Sequence, residues 1–294
     1  MSDWKGIIMA GGTGSRLFPI TKGVSKQLLP VYDKPMIYYP LSVLMLSNIR
    51  EIAIITTSES APFFYELLGT GEQWGCNFHY VKQEKPAGIA QAFPLCRHLF
   101  ESCNTCLILG DNLFYGEGLT NQLEKAMDSN DGATIFACRV SDPSRYGIVE
   151  LDSRGNCISI EEKPKLPRSN LAVTGLYYFD DSVYDIAENI RPSLRGELEI
   201  TDINKVYWER KKLKVEIFER GMAWLDTGTH ESLLQASSFI HAVQSRQGLM
   251  VASPDEIAWR MGNIDTEAFL KLADIYSKTG YGTYLRNLVL EGRN

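Results

Sequence analysis

The residues best equipped for chemistry begin with Gly11-Gly12-Thr13-Gly14-Ser15-Arg16, a glycine-rich turn directly after the apolar run Lys5–Ala10. Such a turn at the carboxyl end of a first parallel strand lets backbone N–H groups approach phosphate oxygens closely. Arg16 and Lys26 follow on the next segment, a planar fork donor and a compact point charge, which together suit a triphosphate. Prolines in Lys26-Gln-Leu-Leu-Pro30 and Lys34-Pro35 fix the exit of that segment. The turn is not a Walker A loop, because GxxxxGK[ST] is absent. Nor is it a dinucleotide fingerprint: Leu17 stands where the third glycine belongs, and Thr56-Thr57 replaces the acid expected after the second strand. A tight turn without a ligand remains the alternative.

Two acids end apolar runs. Asp111 closes Leu107-Ile-Leu-Gly-Asp111-Asn112, at the strand end where open α/β sheets bind ligands. Asp226 closes Trp224-Leu-Asp226 in the same way. Two hard oxygen donors, completed by substrate phosphates and waters, are what Mg²⁺ prefers. Either acid alone could equally be a helix cap or turn former, and spacing cannot pair two residues so far apart. Glu161-Glu162-Lys163-Pro164 reads as a solvated hairpin end, unless a cleft holds Lys163 against a phosphomonoester. His79, His98, His230 and His241 show neither ligand spacing nor a nucleophile partner, and no GxSxG or HExxH occurs.

These residues need a scaffold. The 294 residues are 44% hydrophobic and 22% charged, an ordinary globular composition. The formal charge of −6 argues against a broad nucleic-acid or acidic-membrane footprint but leaves room for a local basic pocket. The opening residues lack a basic n-region, and Tyr38–Leu46, the most apolar later stretch, is far shorter than a bilayer span. A cytoplasmic protein with six reduced cysteines is therefore expected. Cys103-Asn-Thr-Cys106 has no second pair to complete a zinc site and reads as two incidental thiols.

Up to Val140, β-rich runs (5–10, 51–57, 77–83, 105–110, 132–140) alternate with helical patterns (36–48, 60–69, 88–101, 119–129), the grammar of βαβ units and a mostly parallel sheet covered on both faces. Runs at 146–151, 157–161 and 172–179 come close together without helices and predict a smaller antiparallel addition. Helices at 180–190 and 201–211, then strands at 214–219 and 223–226, complete a body over 1–228. From Thr229, a plausible N-cap, the pattern is helical (229–246, 253–261, 265–276, 280–291). No linker divides the 1–228 body from this 229–294 tail, so one compact α/β unit is expected.

With those pieces in order, the chain resembles the sugar-nucleotide pyrophosphorylases and, within them, the bacterial glucose-1-phosphate thymidylyltransferases. The likeness rests on Gly11–Leu17, Pro19–Thr21, Ser25–Pro30, Asp33–Pro40, Leu109–Asn112, Glu161–Pro164, Ala172–Gly175, Arg195–Thr201 and Trp224–His230, and extends to Glu256–Arg260 and Lys278–Gly282. Ser15, where many relatives carry Thr, keeps the hydroxyl. The resemblance implies a Rossmann-like nucleotidyltransferase fold, a homotetramer, and the reaction of dTTP with glucose 1-phosphate to give dTDP-glucose and pyrophosphate.

It also implies roles. Gly11, Gly12, Thr13, Gly14, Ser15, Arg16, Lys26, Gln27, Gln83, Gly88 and Asp111 would hold the nucleotide. Asn112, Tyr146, Gly147, Glu162, Lys163 and Val173 would line the sugar pocket, with Lys163 on the sugar phosphate. Asp111 and Asp226 would bind Mg²⁺, and Arg16, Lys26 and Lys163 would carry catalysis. Gly116, Arg220, Glu256, Ile257 and Arg260 would form a second site for dTDP-L-rhamnose, with an oligomer-interface helix as the plain alternative. Three rivals stand beside this reading. A uridylyltransferase would share the loop and both acids. A related glycosyltransferase would carry a DxD motif, where Gly110-Asp111-Asn112 has one acid. A non-catalytic nucleotide-sugar-binding regulator would be expected to lack Arg16, Lys26 or Asp226.

Overall fold

The computed structural model describes residues 4–12 and 14–292; Thr13, one of the expected nucleotide contacts, lies outside them. The chain starts with β1 (Trp4–Met9), a ribbon of β2 (Pro30–Val31) and β3 (Lys34–Pro35), and helix α1 (Tyr38–Leu46). Then β4 (Glu51–Thr56), α2 (Ala61–Leu68), β5 (Asn77–Lys82), α3 (Ala92–Phe100), β6 (Asn104–Leu109), β7 (Asn112–Tyr115), α4 (Leu119–Asp128) and β8 (Ala133–Arg139) follow. The strands β9 (Gly147–Leu151), β10 (Cys157–Glu162) and β11 (Leu171–Phe179) lead to α5 (Val183–Asn189), α6 (Ile200–Glu209), β12 (Leu213–Ile217) and β13 (Ala223–Asp226). Four helices end the chain: α7 (His230–Gln247), α8 (Pro254–Arg260), α9 (Thr266–Ile275) and α10 (Gly280–Leu290).

Among the described residues β6, β1, β4 and β5 form a parallel core, joined through antiparallel β11 to β8, which pairs in parallel with β12, and to the β9–β10 hairpin, nine strands in all. Both faces are covered, which is why these strands are nearly continuous apolar runs. Ile8, Ile52, Ile54 and Ile108 point into one core with α1, α2 and α4; Ile7, Ala53, Ile55 and Leu107 point into the other with α3, α5 and α6. The expected α/β fold class, antiparallel addition and helical end are all present.

Helix α1 is apolar on every side because it is enclosed: Tyr38 through Met45 are all buried, and α8 packs against it. No helix among the described residues is long and apolar enough to cross a membrane. Thr229 caps α7 as its sequence predicts: its side chain accepts from the Ser232 N–H, and the Ser232 hydroxyl accepts from the Thr229 N–H. The same helix buries Ala236 and Ile240 against Leu17, Leu29, Val31, Met36 and Leu113, so it rests on the segments that carry Arg16 and Lys26.

The two-residue strands β2 and β3 and the strand β7 escape the sequence pattern. β7 is only four residues long, and its partner β13 comes more than a hundred residues later, pairing antiparallel with Asp226 opposite Asn112. This ribbon lies off the main sheet.

Candidate active site

The β7–β13 ribbon decides the geometry. Because Asp226 pairs with Asn112, the carboxylate at the end of β13 is brought beside Asp111, which sits just past β6. The electrostatics record that approach. Burial raises the pKa of the Asp226 carboxyl and the Asp111 charge raises it further, against the opposing pull of Lys26, Arg145 and Arg16. Asp111 goes the other way. Burial pushes its pKa up, but the Lys26 ammonium, the Asn112 amide and the Arg16 guanidinium outweigh it and leave the pKa below the usual carboxylate range. Lys26 Nζ donates to Asp111 Oδ2 at 2.5 Å, with Lys26 itself buried. Thr227, fully buried, donates its hydroxyl to the Asp111 carbonyl at 2.9 Å and locks the backbone there.

Two cavities meet at this point. One is lined by Gly11, Gly12, Gly14, Ser15, Arg16, Lys26, Gln27 and Asp111, together with Pro86, Glu197 and Gly228. The other is lined by Asn112, Tyr146, Gly147, Glu162, Lys163 and Val173, with both acids and Arg16. Arg16 and Asp111 belong to both. A Cβ on Gly228 would lie 2.9 Å from Asp226 Oδ1 and 3.4 Å from Arg16 Nη1, so the guanidinium and the second acid flank the same glycine. Gln83 does not line either cavity; it packs against Gly11 of the first and donates to Gln91 Oε1 at 2.8 Å. Gly88 lines neither cavity either. Its φ of +111° and the Leu198 backbone pressed against it leave no room for a side chain.

In the second cavity each expected residue has a definite setting. Asn112 Oδ1 accepts from Trp224 Nε1 at 2.6 Å and from the Gly175 N–H at 3.0 Å, and Asn112 Nδ2 donates to Asp111 Oδ1 at 2.9 Å. Its amide therefore orients Asp111 as well as facing the cavity. Tyr146 packs on Trp224 with ring centroids 5.0 Å apart, and its phenol feels the charge of Asp226. Burial, then the Asp226 charge, raises the pKa of that phenol. Glu162 accepts from the Thr201 hydroxyl at 2.6 Å. Lys163 has φ +44°, a left-handed conformation rare outside glycine, and its N–H donates to the Tyr146 carbonyl at 3.0 Å. Local strain of this kind persists where surrounding structure over-determines it, and it clusters at functional sites.

Several residues here carry no sequence signal of their own. Arg145 reaches Asp226 Oδ2 at 3.6 Å; only its position just before the expected Tyr146 and Gly147 could have pointed to it. Thr201 and Arg195, 2.6 Å and 3.9 Å from the Glu162 carboxylate, and Trp224 under Tyr146 stand inside the segments that carry the resemblance. The six cysteines are free, and burial pushes the Cys157 thiol up to about 11 and Cys96 to about 12, away from thiolate chemistry.

A third cavity lies between α1, the β7–α4 turn and α8 and shares no lining residue with the other two. Gly116, Glu256, Ile257 and Arg260 line it. Arg260 pairs with Glu256 at 2.7 Å, and Tyr284 donates to the same carboxylate. Arg220 does not line this cavity; it is exposed on the loop whose Gly221 carbonyl abuts Gly116.

The sequence model of the nucleotidyl transferase family matches residues 5–243, which take in both acids and most of α7. The chain is 54% identical over 292 residues to a Xanthomonas campestris pv. campestris protein named glucose-1-phosphate thymidylyltransferase, covering 99% of each chain. The chain belongs to the nucleotidyl transferase family. Within it a Mycobacterium tuberculosis relative, also named glucose-1-phosphate thymidylyltransferase, is 52% identical over 97% of this chain and 99% of its own. Among solved structures, a Bacillus anthracis chain assigned as a glucose-1-phosphate thymidylyltransferase, in complex with sucrose, superposes with a TM-score of 0.75. It is 42% identical over 80% of this chain and 94% of that one.

Proposed function

We propose that this nucleotidyltransferase condenses dTTP with α-D-glucose 1-phosphate to give dTDP-glucose and pyrophosphate. The single observation that carries the reading is the pair of abutting cavities that share Arg16 and Asp111. A nucleotide in the glycine-rich cavity would present its α-phosphorus at the junction, where a sugar phosphate held in the second cavity can reach it. One oxygen of the sugar phosphate attacks that phosphorus. The bond to the bridging oxygen breaks, and its electron pair leaves with pyrophosphate. No general base is required, since a phosphomonoester is already largely dianionic near neutral pH.

The obstacle is bringing two anions together, so the protein's contribution is positioning and charge neutralisation. Orientation of this sort can supply about 7–11 kcal/mol of the barrier. Arg16 sits at the junction and Lys26 holds Asp111 beside it, while Lys163 is placed for the incoming sugar phosphate. Glu162, fixed by Thr201, offers a carboxylate to sugar hydroxyls beside Gly147 and Val173. Gln27, in the glycine-rich cavity, with Gln83 and Gly88 nearby in the chain fold, would hold the thymine and nucleoside. Two carboxylates gathered by the ribbon, one of them raised in pKa by burial and then by the other's charge, form a hard-oxygen site that fits a divalent cation. Asp111 and Asp226 would hold Mg²⁺, whose chemistry there is to offset charge on the α-phosphate and the departing pyrophosphate.

The test is pyrophosphate release with dTTP or UTP, paired with glucose 1-phosphate or other sugar 1-phosphates, with and without Mg²⁺. The expected result is a higher specificity constant for dTTP and glucose 1-phosphate and no turnover without the metal. A preference for UTP would move the chain to the uridylyltransferases, and no release with any pair would leave a binding protein.

The third cavity supports a regulatory reading. It gathers four of the five residues expected to bind dTDP-L-rhamnose and shares no lining residue with the other two cavities. The chain would then be a cytoplasmic homotetramer whose helical region 229–294 carries effector and subunit contacts, on the route to dTDP-sugars.

A further inference from the structure

The two acids of the site are not bare: each already has a cation. Asp111 is paired with Lys26 at 2.5 Å, and that lysine is buried, its side chain only 10% exposed. Asp226 is paired with Arg145 at a looser 3.6 Å, and the arginine side chain is 43% exposed. Arg145 belongs to the single turn Pro143–Arg145 that leads into β9, and its guanidinium lies 5.6 Å from the centroid of the Tyr146 ring. It lines the same cavity as Lys163 and Glu162.

Two cations cannot share one carboxylate without repelling each other, so a divalent ion arriving at Asp111 and Asp226 must compete with what is already there. Lys26 is short of room and tightly paired. Arg145 is the partner that can leave, because it is longer, half in solvent and beyond ideal hydrogen-bond distance. A departing guanidinium needs another anion, and the one the reaction brings into this cavity is the sugar phosphate. Arginine's fork geometry suits that group.

We infer that Arg145 is an exchangeable counter-ion: it occupies Asp226 in the metal-free protein, yields that carboxylate to the divalent cation and turns to the phosphate of the sugar substrate. The inference rests on the nucleotidyltransfer reading above and adds a residue which that reading did not need. It makes metal loading and sugar-phosphate binding cooperative through one side chain.

The experiment compares wild type with Arg145→Gln and Arg145→Lys. Mn²⁺ alone is titrated into each protein and its binding read from the electron paramagnetic resonance of the free ion; steady-state constants are then measured for dTTP and glucose 1-phosphate. Arg145→Gln should bind Mn²⁺ several-fold more tightly, because a competing charge is gone. Its KM for glucose 1-phosphate should rise about tenfold while that for dTTP stays within twofold. Arg145→Lys, which keeps the charge, should return Mn²⁺ affinity towards wild type. Unchanged Mn²⁺ affinity in Arg145→Gln would overturn the competition, and an unchanged KM for glucose 1-phosphate would overturn the handover. A wild type that releases no pyrophosphate would instead sink the underlying reaction, so the two failures are separable.

Discussion

Each reactive residue in this site is held by a neighbour that has its own reason to be there. Asp111 is fixed by Lys26, by Asn112 and by Thr227 on its carbonyl, and Asn112 is in turn fixed by Trp224 and the Gly175 N–H. Removing one charge therefore costs both alignment and neutralisation. Lys26→Ala and Arg16→Ala should each lower turnover by about 10²–10³, as loss of one preorganised charge donor does elsewhere; rates within threefold of wild type in steady-state assays would remove them from the mechanism. The acids themselves make a stability prediction of opposite signs. Asp111, with its pKa depressed, contributes stability that is present above the ordinary carboxylate pKa and is lost as pH falls through the lower folded value. Asp226, with its pKa raised by burial and by Asp111, costs stability as pH rises from the ordinary carboxylate pKa through the higher folded value. In the metal-free protein Asp226→Asn should therefore raise Tm at pH 7 by roughly 2 °C, with the gain fading near pH 4, while abolishing Mg²⁺-dependent turnover. A lower Tm at pH 7 in a calorimetric scan would mean that Asp226 is not under strain.

At the scale of elements, the site is assembled from ends. Asp111 lies two residues past the end of β6, Asp226 ends β13, Lys163 follows β10, and α7 begins four residues after Asp226. The Thr229–Ser232 cap thus anchors the helix and the second acid together. Thr229→Ala should destabilise by about 1 kcal/mol, the usual loss for an N-cap, seen as a lower denaturation midpoint with unchanged m-value. Because the cap lies so near Asp226, turnover should drop as well; full activity at the lowered midpoint would show that the helix start and the acid are independent. Gly88 ties two loops in the same way. Its conformation lets Leu198 approach, and hydrogen bonds from Leu198 N–H to the Ala87 carbonyl and from Ala90 N–H to the Leu198 carbonyl hold them. Gly88→Ala should force those loops apart and raise the KM for dTTP more than that for glucose 1-phosphate.

Over the whole molecule, the helical end is built into the body. Asp255 on α8 is buried and accepts from Trp74 Nε1 at 3.2 Å and from the Tyr281 hydroxyl at 2.6 Å, joining α8 and α10 to the turn before β5. Glu256, its neighbour, faces the third cavity. If that cavity takes dTDP-L-rhamnose, inhibition should be noncompetitive with dTTP and weakened at least tenfold in Arg260→Ala; purely competitive inhibition with unchanged strength would reject a separate site. The net charge of −6 has meaning only at this scale, since it averages over a surface whose cations Arg16, Lys26, Arg145 and Lys163 converge on two cavities. The local chemistry was legible in the sequence by itself: a glycine-rich turn after a strand, acids at strand ends, runs apolar enough to be buried on both faces, and a capped helix after Asp226. These are legible because backbone geometry and burial act over a few residues at a time. Tertiary structure alone decided which acids meet, that Arg145 holds one of them, and that Asn112 serves Asp111. Those facts depend on the β7–β13 register, a pairing between segments a hundred residues apart whose four-residue strands carry too little periodicity to declare it.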